Sequence, residues 1–150
     1  MASKKKKKAP PCLTPVPATC LYETDETPKR KHHWDLDRAG FVEHPPNSGV
    51  WIGKCPRNLS MLEAEALIRG GVGFSPPNWQ AAHPERIYVV HLGTVYRATI
   101  TNPASPSYHG FPELPSKFPR FRELREAVLA QAEEEGAESL KSVRDWMTST

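Results

Sequence analysis

The side chains best suited to acid–base chemistry lie in residues 86–112, which contain two histidines, two arginines and three tyrosines. Imidazole titrates near neutral pH, so His91 and His109 suit the roles of general base and general acid. Arg97 can hold a phosphate with two parallel hydrogen bonds, and Tyr108 can add a hydrogen bond or a stacking surface. Cleaving RNA through its own 2′-hydroxyl requires a base, an acid and a cation, but no metal ion. His91, Arg97, Tyr108 and His109 are therefore the candidate catalytic residues.

Two further features predict contact with nucleic acid. Tyr96 precedes Arg97 on a predicted strand, where its ring can stack on a base. A lysine run near the N-terminus attracts phosphate groups without regard to base sequence. The run comprises Lys4, Lys5, Lys6, Lys7 and Lys8. The expected partner is nucleic acid, and the pattern requires no cofactor.

The composition and the order of elements loosely resemble those of small bacterial toxin ribonucleases of the barnase and colicin type. In those proteins a helical part precedes a sheet that carries His, Arg and Tyr. The resemblance covers composition and order, and the chain carries no motif specific to that group. It implies a metal-independent ribonuclease.

The sequence is also compatible with two other functions. A non-enzymatic binding module, such as an immunity or adaptor protein, would hold a protein partner through aromatic side chains or the acidic C-terminal helix. The aromatic set is Trp34, Trp51, Trp79, Tyr108 and Phe111, and the acidic set is Glu126, Glu133, Glu134, Glu135 and Glu138. An ADP-ribosyltransferase-like toxin would grip a nicotinamide nucleotide with Tyr96 and Arg97, and Glu113 is the nearby candidate for its catalytic carboxylate.

Patterns for other chemistries are weak or missing. Cys55 lies in an apolar run, which favours a buried structural thiol over a nucleophile. The sequence has no Gly-rich phosphate loop, GxSxG elbow or HExxH motif. Cys12 and Cys20 lie eight positions apart, which with His32 and His33 matches no common zinc spacing. The sequence therefore predicts no metal site.

The candidate residues fall on a predicted β-hairpin and on the loop after it. Residues 86–92 and 94–101 are rich in β-branched and aromatic residues, and Gly93 between them marks the turn. Alternation along the strands predicts one apolar and one polar face. The apolar face comprises Tyr88, Val90, Leu92, Tyr96, Ala98 and Ile100, and the polar face comprises His91, Arg97 and Thr99. Residues 102–119 hold five prolines, so a rigid loop would present Tyr108 and His109 beside the polar face.

Flanking segments predict a small α+β domain. Ser60 and Glu63 form a capping box for a helix over residues 61–69, and Gly70 and Gly71 end it. The apolar stripe of this helix is predicted to be Leu62, Ala66 and Leu67. Residues 49–55 suit a strand, 34–48 an irregular segment and 71–84 a connecting loop. A helix follows Pro119 through Phe121, Leu124, Val128 and Ala132, and a second passes through Leu140, Val143 and Met147.

The charge is unevenly spread along the chain. Residues 1–33 carry a net +5, residues 34–122 a net +2 and residues 123–150 a net −4. Because residues 1–33 are also rich in proline, we predict a disordered basic tail there and a compact domain over residues 34–150. No apolar run suggests a signal peptide or a membrane span. A cytoplasmic location is the expectation, and the sequence leaves signal-less export open.

Overall fold

The computed structural model describes residues 10–22, 36–102 and 104–149. These form an α+β fold, as predicted, with eight strands and three α-helices among the described residues. The strands are β1 (Cys12–Pro15), β2 (Leu21–Tyr22), β3 (Gly40–Glu43), β4 (Trp51–Lys54), β5 (Val72–Ser75), β6 (Arg86–His91), β7 (Thr94–Asn102) and β8 (Ser105–Pro112). The helices are α1 (Met61–Arg69), α2 (Arg122–Glu135) and α3 (Ala137–Thr148), and a 3₁₀ helix, Pro115–Lys117, follows β8. No helix in these ranges is both long and apolar enough to cross a bilayer.

Six strands make one sheet in the order β1-β5-β6-β7-β8-β2. Neighbouring strands are antiparallel except β2, which runs parallel to β8. Strands β3 and β4 form a separate antiparallel pair.

Both faces of the central sheet are buried. On one face α2 and α3 pack over the sheet, and the shared core comprises Tyr88, Val90, Val95, Phe118, Leu124, Val128, Ala132 and Val143. We call this the helix-pair face. On the other face lie two further clusters, to which α1 contributes Ile68 and Leu67 respectively. The buried members of the first are Cys20, Ile68, Ile87, Ala98, Ile100 and Tyr108, and those of the second are Cys55, Leu59, Val89 and Tyr96. We call this the α1 face.

The predicted hairpin is present, but the predicted pairing of its faces is wrong. A two-residue turn, in which Leu92 and Gly93 have φ of 49° and 75°, joins β6 and β7. It pairs Tyr88 with Arg97, so these two residues share the helix-pair face. Alternation could not reveal this, because apolar residues of these strands are buried on both faces of the sheet.

Helix α1 begins and ends where the capping signals predict. The Ser60 hydroxyl accepts a hydrogen bond from the backbone N–H of Glu63 at 3.1 Å, and the helix ends at Gly70. Of the predicted stripe, Leu67 packs against the core, whereas Leu62 is 80% exposed and Ala66 is also exposed. The buried residues of the helix are Ala64 and Ile68. Helices α2 and α3 are confirmed, with Leu124, Val128, Ala132 and Val143 buried.

Proline misled the prediction in two segments. Residues 105–112 form strand β8 and not a loop, since Pro106 and Pro112 lie near its ends and leave the five residues between them free to extend. In the proline-rich residues 10–22, β1 and β2 form the two edges of the sheet, where proline is tolerated. This part of the predicted tail therefore belongs to the domain, with Cys20 fully buried. The strands β3 and β5 were also missed, within residues predicted to be irregular or loop.

Candidate functional site

The strand register decides which of the predicted catalytic residues lie together. Arg97 pairs with Phe111 and Thr99 pairs with His109 across β7 and β8. Arg97 and His109 are therefore diagonal neighbours on the helix-pair face, about 7–8 Å apart. The sequence prediction had placed Arg97 on a sheet and His109 on a loop, and the sheet brings both onto one face.

His91 does not join them. It pairs with Thr94 at the end of the hairpin, on the α1 face, while Thr99, the partner of His109, lies five residues further along β7. At about 3.4 Å per residue, the two histidines are about 17 Å apart along the sheet and on opposite faces. The two-histidine acid–base arrangement is thus not assembled in this structure.

The two tyrosines of the prediction are buried in the core. Tyr108 is fully buried, and its hydroxyl donates a hydrogen bond to the carbonyl oxygen of Pro84. Tyr96 is 7% exposed and packs with Cys55, so its ring offers no open surface for stacking on a base. Burial raises the pKa of both phenols, which keeps them neutral.

Cys55 behaves as its apolar surroundings predict. The residue is 1% exposed, and burial raises the pKa of its thiol to about 12. Its Sγ lies 3.6 Å from the carbonyl oxygen of Gly110, which it can reach as a weak donor. A thiol held in the neutral form is not an activated nucleophile.

Arg97 is held by two contacts on the helix-pair face. Its Nη1 lies 3.4 Å from Oε2 of Glu113, and its guanidinium carbon lies 4.8 Å from the centroid of the Phe111 ring. Two acidic residues, Glu85 and Glu113, are near enough in the sequence to be candidate partners of Arg97. The partner is Glu113 and the pair is largely buried, whereas Glu85 pairs with Arg86 at 3.4 Å.

Glu113 is the functional candidate that the ribonuclease prediction missed. It is 1% exposed, and burial raises the pKa of its carboxyl group, although Arg97 and the backbone N–H of Leu114 act in the opposite direction. A raised carboxyl pKa beside a cation in a cleft is typical of functional sites. In the sequence, Glu113 lies two residues after Phe111, a spacing that indicates the same face of a strand. The relationship was hidden because the residues of β8 were predicted to form a loop.

A first cleft of about 210 Å³ opens beside this pair. It lies where β4, the end of β8 and the 3₁₀ helix meet, and its wall includes Trp51, Gly53, Arg97, Phe111, Glu113 and Lys117. Glycine is required in the floor, because a Cβ on Gly53 would lie 2.5 Å from the carbonyl oxygen of Pro112. The ring of Trp51 stands at the rim and is 49% exposed.

A second cleft of about 220 Å³ lies beside the same 3₁₀ helix. Its wall comprises Pro115, Phe118, Pro119, Arg120, Arg125 and Met147. Within the described ranges, Arg120 and Arg125 form no salt bridge, and neither does Lys117 of the first cleft. The two clefts therefore carry three cations whose charge is not neutralised by a paired carboxylate.

Three further sets of predicted residues are the N-terminal lysines, the metal-ligating side chains and the acidic residues of α2. Lys4 to Lys8, Trp34, His32 and His33 lie outside the described residues. Among the described residues, no three His, Cys, Asp or Glu side chains are grouped as a metal site would require. The acidic side chain of Glu135 on α2 binds the hairpin turn, accepting hydrogen bonds from the N–H groups of Leu92 and Gly93.

Comparisons with known proteins suggest no function, so the functional argument rests on the geometry of the described residues. No family model matches the sequence, and neither the curated proteins nor the solved structures include a significant match.

Proposed function

We propose that the protein binds single-stranded nucleic acid through the two clefts beside the 3₁₀ helix. The observation that carries the proposal is that the two clefts combine cations with the half-exposed ring of Trp51. The first contains Lys117, Trp51 and the Arg97–Glu113 pair, and the second contains Arg120 and Arg125. Proteins that bind single strands use a positive groove for the backbone and rings on which bases stack.

The charge of the clefts supports phosphate as the group that is bound. Arg120 and Arg125 make no salt bridge within the described residues, so their charge is available to an anion; Lys117 makes none either, although its charge also acts on the Glu113 carboxylate. The 3₁₀ helix contributes Lys117 to one cleft and Pro115 to the other, so the two clefts adjoin. Neighbouring phosphates of one strand can then occupy both. The lysine run at residues 4–8 remains a prediction of additional nonspecific attraction.

The proposal retains the partner that the sequence predicts and changes the residues that contact it. Binding is proposed in place of cleavage by His91 and His109, because the two imidazoles lie on opposite faces of the sheet. Arg97 lines the first cleft, and His109 is its diagonal neighbour on the sheet. Tyr96 and Tyr108 are core residues and have no part in it.

Fluorescence anisotropy with a short labelled single-stranded RNA, measured over a series of salt concentrations, tests the proposal. The double variant Arg120→Ala/Arg125→Ala should bind more weakly. In a plot of the logarithm of the binding constant against the logarithm of the salt concentration, the slope of the variant should be shallower by about 0.7 for each phosphate contact that is lost. Lys117→Ala should show the same loss for one contact. Lys141→Ala is the matched control, because Lys141 is an exposed lysine of α3 outside both clefts.

Two results would overturn the proposal. One is the absence of RNA binding at low salt, and the other is a set of cleft variants that bind with the affinity and salt slope of Lys141→Ala. Recovery of one stoichiometric protein partner by a chain that binds no RNA would support the binding-module alternative. In that case Val50→Ala, which trims a side chain beside Trp51 that is 54% exposed, would weaken the protein complex.

A further inference from the structure

The wall of the first cleft contains a buried donor and a buried acceptor that lack hydrogen-bond partners. Glu113 is 1% exposed and its Oε2 accepts no hydrogen bond, while Nε of Arg97 donates none. In the part of the chain that the structure describes, these are the two buried side-chain atoms in this condition. Arg97 Nη1 lies within ion-pair distance of Glu113 Oε2, at 3.4 Å, but without hydrogen-bond geometry.

Such atoms are rare in native proteins, since an unpaired buried polar group is unfavourable. The rest of the Glu113 environment is satisfied. Its Oε1 accepts the N–H of Leu114 at 3.1 Å, and its backbone carbonyl oxygen accepts the indole N–H of Trp146 at 3.2 Å. The unused hydrogen-bonding capacity of Glu113 is therefore confined to Oε2, the oxygen that faces Arg97.

We infer that the first cleft is a base-recognition pocket, which takes the edge of a nucleobase that presents an N–H donor beside an acceptor. Glu113 Oε2 would accept the N–H, and Arg97 Nε would donate to the neighbouring acceptor. The inference rests on the proposed function, because the base belongs to a strand whose phosphates the cations hold. It adds that the protein distinguishes bases, which phosphate contacts alone cannot do.

The aromatic residues of the cleft fit a flat ligand. Trp51 is half-exposed at the rim and can stack on a base, while Phe111 is already covered by the Arg97 guanidinium. The two unpaired atoms have almost no exposed surface, so a base reaches them after a rim side chain changes rotamer. Trp51 and Lys117 are the exposed residues of the rim and are the groups that would move.

Titration of the full chain with the four ribonucleoside 5′-monophosphates and with ribose 5-phosphate tests this inference. Calorimetry or chemical-shift changes report the dissociation constants. A preferred nucleotide should bind about 5- to 150-fold more tightly than ribose 5-phosphate, the range expected for one good bidentate contact to a base. Glu113→Gln should bring all four nucleotides close to the affinity of ribose 5-phosphate, whereas Lys117→Ala should weaken every ligand by a similar factor.

Trp51→Ala supplies an independent variant, because it leaves the buried pair intact and removes an exposed ring. It should lower the affinity of nucleotides and leave that of ribose 5-phosphate unchanged. The inference is overturned by equal affinities for the nucleotides and ribose 5-phosphate, or by a base preference that survives in a folded Glu113→Gln variant.

The two experiments distinguish a failure of the base-recognition pocket from a failure of the proposed function. RNA binding without base preference would leave the proposed function standing and overturn the pocket. Base-selective binding of mononucleotides by a chain that binds no single strand would support the pocket and overturn the proposed function.

Discussion

Arg97 on β7 and Glu113, the residue after β8, form an ion pair at 3.4 Å in which the glutamate side chain is 1% exposed and the arginine side chain 17%. Removing two charges from water is costly, and a buried pair is stabilising only where hydrogen bonds satisfy the remaining polar atoms. Here that condition is incompletely met, because Glu113 Oε2 and Arg97 Nε have no hydrogen-bond partner. Burial accordingly outweighs the attraction of Arg97, and the pKa of Glu113 is raised from its ordinary value of 4.5.

The raised pKa of Glu113 predicts an unusual dependence of stability on pH. Between the unfolded pKa and the raised folded pKa, the native state binds more protons than the unfolded state, so this group's contribution to the free energy of unfolding falls as pH rises. Glu113→Gln removes that contribution. The stability of the variant relative to wild type should therefore increase from pH values below 4.5 to values above the raised pKa.

Chemical denaturation of both proteins over a pH series measures this difference. Glu123→Gln, a change at an exposed glutamate of α2, is the control and should give a difference that is flat by comparison. A Glu113→Gln difference that declines with rising pH would show that attraction to Arg97 dominates over burial.

Glu135 should behave in the opposite way. Burial opposes its ionisation, but the Ser139 hydroxyl and the N–H groups of Gly93 and Leu92 donate to it, and together they lower its pKa below 4.5. A depressed pKa contributes stability above the unfolded pKa, which is lost as pH falls through the folded pKa. Glu135→Gln should cost about 1 kcal/mol at neutral pH, since hydrogen bonds to the hairpin turn are weakened, and the cost should shrink in acid.

Thermal or chemical unfolding at neutral and acidic pH checks this prediction. Glu138→Gln is the matched control, because Glu138 lies with Glu135, Leu92 and Gly93 in the wall of one surface pocket and makes no hydrogen bond or salt bridge within the described residues. Equal costs for the two variants at neutral pH would contradict a specific role for Glu135 in holding the turn.

Tyr108→Phe separates a structural role from a catalytic one. The phenol is fully buried and its hydroxyl satisfies the carbonyl oxygen of Pro84, so its loss should destabilise the fold by about 1–3 kcal/mol. RNA binding by the folded variant should match that of wild type. Unchanged stability with a loss of RNA binding would instead support the original assignment of Tyr108 to the site.

Local signals in the sequence predicted the helices well. Ser60, Glu63 and Gly70 specify both ends of α1, since caps satisfy backbone groups that the helix leaves unpaired. The spacing of Leu124, Val128 and Ala132 specifies the buried side of α2. The buried thiol of Cys55 and the turn at Gly93 follow from equally local patterns.

The grouping of the site residues depends on strand register, which a local sequence pattern does not specify. A shift of one residue in register exchanges the two faces of a strand, and here both faces carry buried apolar residues, so hydrophobic alternation could not select the pairing. The two-residue turn places Arg97 beside Tyr88 and leaves His91 on the other face. Strand β8 then brings His109, Phe111 and Glu113 to Arg97 from a segment whose prolines suggested a loop.

The sequence by itself thus determined the α+β class, the helices, the caps of α1 and the central hairpin, because each depends on residues close together in the chain. Only the tertiary structure decided which polar groups meet. Arg97 and Glu113 are 16 positions apart, and their pairing depends on the β7–β8 register together with the burial that surrounding elements impose. The same packing carried Tyr96 and Tyr108 into the core and left Trp51 and Lys117 at the rim of a cleft.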